Sequence, residues 1–181
     1  MGTITVTGGT PAQQQAISAA HGALSAALPR AVTAAGQGTG GFAGWFGDAS
    51  AGRRSAVAAA YQAGGDNLGS QDFGYDLTAA LPVLLHAPVC VLFANVDSAG
   101  VTARLWDSFW PAYYLDARAG SADLALGIAH ELLVSFDAGV IDLLGIDDAW
   151  AARELAAADP AAAVRCAANY TGFLAQFLSG P

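Results

Sequence analysis

The feature that most constrains this chain is a β-rich run set between helical patterns. Pro88-Val-Cys-Val-Leu-Phe-Ala-Asn-Val96 reads as a strand, Asp97-Ser-Ala-Gly100 as a turn, and Val101–Trp110 as a second strand. The pair is predicted to form a hairpin or two adjacent strands. Upstream, Ala16, Ile17, Ala20, Leu24, Ala27, Leu28 and Val32 share one stripe of a helix from Pro11 to about Ala35, with Pro29 as a candidate kink. Gly36–Gly44 reads as a loop, Ala49 to Ala63 as a second helix closed by Gly64-Gly65, and Asp66–Tyr75 as another loop. Downstream, Ser121 is a good N-cap for a helix to about Asp137, in which Leu124, Ile128, Leu132 and Phe136 share a face. After a Gly139–Gly145 loop, Asp147 or Asp148 caps a helix ending near Asp159, and Pro160 opens a last helix to about Leu178. Helices, a small sheet, then helices again make an α+β, mostly helical pattern rather than the alternation of a parallel α/β sheet. The 181 residues suit one domain, with residues 1–10 a short strand or a disordered start.

Composition narrows the partners. The net charge is −8, no Lys occurs, and all seven basic residues are Arg, so there is no basic patch for nucleic acid. An acidic chain suits a peptide or protein partner instead. The apolar stretch Leu77–Val96 is broken by Pro82, His86 and Pro88 and followed by Asp97, so it reads as a loop entering a buried strand, not a membrane span. Met1–Pro11 lacks the positive start and apolar run of a secretory leader, which leaves a cytoplasmic location or a signal-independent export route. Cys90 and Cys166 read as two buried, reduced thiols. No Gly-x-Ser-x-Gly elbow or P-loop occurs, and Gly36-Gln-Gly-Thr-Gly-Gly41 lacks the Lys and preceding strand of a phosphate loop.

Of three histidines, His21 and His86 read as structural. His130 differs, because His130-Glu131 interrupts an apolar helix, Leu-Gly-Ile-Ala-His-Glu-Leu-Leu-Val, where a charge is costly without partners. In a zinc-binding His-Glu-x-x-His helix, two His one turn apart reach the metal and the Glu activates its water. Here Val134 stands where the second His would be.

The surrounding segments resemble the deuterolysin / peptidyl-Lys metalloendopeptidase family, the aspzincins. The resemblance rests on Trp45-Phe46-Gly47 with Arg53-Arg54 and Val57, on the strand runs Cys90–Val96 and Leu105–Phe109, and on Gly120-Ser121 leading to Gly127-Ile-Ala-His130-Glu131. It continues through Gly145-Ile-Asp-Asp148-Ala-Trp150, Glu154-Leu-Ala156, Pro160, Ala163 and Cys166-Ala-Ala-Asn-Tyr170-Thr-Gly-Phe173. It implies a zincin-like metallopeptidase domain with zinc as cofactor and a peptide or protein as substrate or ligand. By the same resemblance His130 is the first zinc ligand, Glu131 the general base, Asp148 (or Asp147) the third ligand, and Trp150 stands near the family's oxyanion-steadying Tyr. Trp106, Trp110, Tyr113 and Tyr114 fall where the family's cleft has its wall, as substrate-binding candidates beside a core reading. Trp150 lacks the phenol, and Val134 cannot bind zinc.

Three readings follow. In the first, peptidase activity is impaired or lost with the second His. In the second, an active peptidase uses an altered set of His130, Asp137 and Asp148, Asp137 lying two turns beyond His130 on about the same helix face. In the third, the chain is a non-catalytic peptide- or protein-binding module. Beside its ligand role, Asp148 reads equally as a helix N-cap.

Overall fold

The computed structural model describes residues 4–69, 74–77, 90–94, 101–105, 121–136, 139–143, 145–146 and 148–178. In chain order the elements are β1 (Thr5–Thr7), α1 (Pro11–Gln37), α2 (Phe42–Phe46), α3 (Ala51–Leu68) and β2 (Gly74–Asp76). They continue with β3 (Cys90–Ala94), β4 (Val101–Leu105), α4 (Ser121–Phe136), α5 (Ala149–Ala158), α6 (Pro160–Ala163) and α7 (Ala167–Leu178). The expected α+β architecture is the one observed.

The long helix α1 opens with a capping box. Gln13 N–H donates to Thr10 Oγ1 at 3.3 Å, and Thr10 N–H donates back to Gln13 Oε1 at 2.8 Å. Each bond satisfies a donor that the first helical turn leaves without a partner. The helix runs through Pro29 and stops at Gly38, whose φ of 70° is cheap for glycine alone. Ile17, Ala20, Leu24, Ala27, Leu28, Ala31, Ala34 and Ala35 are buried along it. That is the predicted stripe prolonged to the C-terminal end, except that Ala16 and Val32 are half-buried at its flank. Its many alanines let α3, α4 and α7 pack close against α1.

The sheet has order β1-β2-β4-β3. The two strands expected as a hairpin or as neighbours do pair: β3 and β4 run antiparallel, with Cys90 opposite Leu105 and Ala94 opposite Val101. The other two pairings are parallel, β1 with β2 and β2 with β4. The segment read as loop to Tyr75 thus ends in a strand. Three residues carry too little pattern to be seen, and their partners are distant in sequence. His21 on α1 reaches this strand, its Nδ1 lying 3.0 Å from the Tyr75 hydroxyl. Burial lowers the imidazole's pKa.

Three other expectations shift. Phe42–Phe46, placed partly in a loop, is a short helix that buries Phe42, Trp45 and Phe46. The helix predicted to close at Gly64-Gly65 continues to Leu68, because Tyr61, Gly64 and Leu68 are buried and packing outweighs the glycine cost. The single last helix is broken after Ala163, where Cys166 forms an isolated parallel bridge with Ile141.

The core centres on rings brought by α2, α3 and α7. Phe46, Tyr61, Tyr170 and Phe173 stack edge-on or tilted with centroids 5.1 to 6.1 Å apart. The Tyr61 hydroxyl donates to the Tyr170 carbonyl at 2.6 Å, so its one polar atom is satisfied inside. The fully buried Asn169 donates its amide to the carbonyls of Trp45 and Ala152, fastening α2 and α5 to α7. Gly172 is obligatory for another reason: a Cβ there would run into the Trp45 ring.

Candidate functional site

The site is built around α4. Leu124, Ala125, Ile128, Ala129, Leu132 and Leu133 turn inward and are buried. Leu126, His130 and Val134 follow one another at four-residue steps on the flank of that face, each half-buried. Leu126 and His130 open onto a cleft of about 690 Å³ between α4 and α7. Its floor on α7 consists of small side chains, Ala168, Thr171, Gly172 and Ala175. Val134 instead packs against the hydrophobic core.

Asp142 faces His130 across the cleft. His130 Nε2 and Asp142 Oδ1 are 2.7 Å apart, with the imidazole 26% and the carboxylate 67% exposed. The backbone holds the acid there. Ile141 N–H donates to Arg165 at 2.7 Å, Ala167 N–H donates to Ile141 at 3.0 Å, and Val140 is buried beneath. Asp142 is thereby tied to the start of α7, while His130 comes from α4. Sequence reasoning missed Asp142. The signal was present: a lone Asp inside the apolar run Val140-Ile-Asp-Leu-Leu is the same anomaly that singled out His130-Glu131.

Glu131 is largely buried beside this pair. Burial pushes its carboxyl up to about 7, and the nearby Asp142 charge adds to the shift. A carboxyl titrating near neutrality is suited to proton transfer, and such groups concentrate at functional sites. Cys166 is buried with a free thiol. Burial raises its pKa, so the thiol stays protonated and inert near neutrality.

Asp148 lines the same cleft as His130. It also N-caps α5, as expected, with Ala151 N–H donating to its Oδ1 at 2.8 Å. Trp150, one residue past the cleft-lining Ala149, is 73% exposed and directed to solvent. Asp137, Asp147, His86, Trp106, Trp110, Tyr113 and Tyr114 lie outside the described residues. The structure thus brings His130, Glu131 and Asp148 to one region and adds Asp142.

The described donors around His130 form a hydrogen-bonded pair: His130 and Asp142 stand at 2.7 Å, the distance of a charge-assisted hydrogen bond. Val134 supplies no lone pair, and among the described residues no three His, Cys, Asp or Glu side chains are grouped to hold a metal.

No family model matches the chain, and no curated protein does. The architecture places it among α+β proteins with a metallopeptidase fold. One solved structure that shares it is a zinc peptidase from Grifola frondosa, with a TM-score of 0.65 over 93% of this chain and 97% of that one, at 22% identity. Among the described residues no helix is long and apolar enough to cross a membrane.

Proposed function

We propose that this chain is a metallopeptidase-like protein of the deuterolysin or peptidyl-Lys type, in which peptide hydrolysis is impaired or lost and the cleft still receives a peptide or protein segment. The observation that carries this reading is Val134. It stands one turn beyond His130 and packs, half-buried, against the core, where zinc binding needs a second imidazole. The retained cleft supports the binding half of the reading. Its apolar floor of small residues leaves room for side chains, and Asp142 and Asp148 offer carboxylates at its wall.

His130 and Asp142 hold each other without a metal. When the imidazole is protonated they form an ion pair; when it is neutral, an Nε2–H tautomer still donates to the carboxylate. Glu131 stays mostly protonated below neutrality beside them. No hydrolytic step follows from these groups, since none of them supplies the electrophile that a second imidazole would help to hold.

The test is metal content by elemental mass spectrometry on protein purified without chelator, beside Val134→His, with a peptide library incubated with and without chelator. The expected result is far less than one zinc per chain, no chelator-sensitive cleavage, and uptake of about one zinc by Val134→His. Stoichiometric zinc in the unaltered chain together with chelator-sensitive cleavage would overturn the reading.

A further inference from the structure

A second cavity, remote from His130, collects residues that are unfavourable for the helices carrying them. It has a volume of about 470 Å³, within the roughly 300–1,000 Å³ of small-molecule sites, and lies between α1 and α3. Pro29 lies in the interior of α1, where it has no N–H to offer the carbonyl four residues back. That carbonyl belongs to Ser25, and Ser25 and Pro29 both line the cavity. Opposite them α3 carries Gly65, preceded by Gly64, each about 1 kcal/mol poorer in a helix interior than alanine.

Packing does not require the glycine at 65. A Cβ there would meet Leu28 at 3.9 Å, ordinary van der Waals contact. The glycine instead lines the cavity with bare backbone. Breaches of local helix rules that converge on one cavity are expected at functional sites, where such costs are offset elsewhere.

The lining defines what would fit. Leu28, Tyr61 and Leu68 are buried and form an apolar floor, while the Tyr61 hydroxyl is turned away toward Tyr170. The rim holds one acceptor of full charge, the Asp66 carboxylate, which Gln62 Nε2 steadies at 2.8 Å, and Ser25 and Thr33 line the opposite side. Asp66 is the one charged residue of the lining, so the wall is complementary to a cation. We propose that this cavity binds a small organic amine, its apolar body on Leu28, Tyr61 and Leu68 and its ammonium on the Asp66 carboxylate.

Tryptamine is a suitable probe, with 3-indolepropionate as its anionic counterpart. Binding to the full chain is read by saturation-transfer NMR and titration calorimetry. Two variants accompany it. Gly65→Leu fills the cavity with a better helix former and keeps the fold. Asp66→Asn retains the oxygen that accepts from Gln62 and removes the charge. The expected result is that tryptamine binds, the propionate does not, and each variant weakens tryptamine at least about tenfold, the effect of losing a charge-assisted hydrogen bond or the space itself. Any of three results overturns the proposal: no binding to the unaltered chain, equal binding of the anion, or full affinity in Gly65→Leu. Self-association of the chain through this groove, with no tryptamine bound, would also overturn it and assign the groove to a second copy.

Discussion

The two faces of α7 teach different lessons. One face carries Asn169, Tyr170, Phe173 and Leu174, all buried, and meets the rings of α2 and α3. The other carries Ala168, Thr171, Gly172 and Ala175 and forms the cleft floor. The first is held by many apolar contacts that no single polar bond dominates. The second is empty space bordered by a few polar groups, each held by its own backbone device. Substitutions on the first should therefore move stability, and on the second should move chemistry.

The largest effect is expected on the buried face. Phe173→Ala removes a ring in contact with Phe42, Phe46, Tyr61 and Phe177 and should cost about 3–5 kcal/mol in urea unfolding. A loss below about 1 kcal/mol would break the contrast between the faces.

Next comes Glu131, which titrates at about 7 in the folded chain against an ordinary 4.5. Folding therefore favours its protonated form. That contribution is fully present below about pH 4.5 and is lost as pH rises through about 7, a swing of about 3 kcal/mol. Glu131→Gln stays neutral throughout, so its stability advantage over the unaltered chain should grow across that window. Urea melts at several pH values measure it, and parallel curves for the two proteins would refute the buried-acid account.

Smaller effects are expected at the cleft wall. Asp148→Ala removes the N-cap of α5 and should cost about 1 kcal/mol. Asp142→Asn removes the charge opposite His130, yet the acid is 67% exposed, so stability should change by less than about 1 kcal/mol. Urea melts of the variant check this, and a loss above about 2 kcal/mol would make Asp142 a structural residue rather than His130's exposed partner.

Much of the fold was legible because its signals are local. The Ile17-to-Leu28 stripe, the strand runs at Cys90–Ala94 and Val101–Leu105 and the cap at Asp148 act within a few residues. The parallel pairings of β2 were not legible, since Gly74–Asp76 is short and bonds to strands far along the chain. Nor was the continuation of α3 past two glycines, which depends on the partner helix. In the site, His130-Glu131 stood out as polar residues in an apolar helix. Asp142 was passed over because Asp148, six residues on, sits two residues before an aromatic in the expected motif and draws attention as a ligand while its structural role is a cap.

The bridge from Ile141 to the start of α7 has a consequence for the order in which the site comes into being. Asp142 follows His130 by only twelve positions, but the groups that fix it, at Arg165 and Ala167, are made later in the chain. During synthesis, α4 can present its imidazole well before the carboxylate has an anchor. The cleft wall at Asp142 is thus complete only once the start of α7 is in place. Amide hydrogen exchange at Ile141 and Ala167 should rise and fall together, timing the site by the end of the protein rather than by its own neighbourhood.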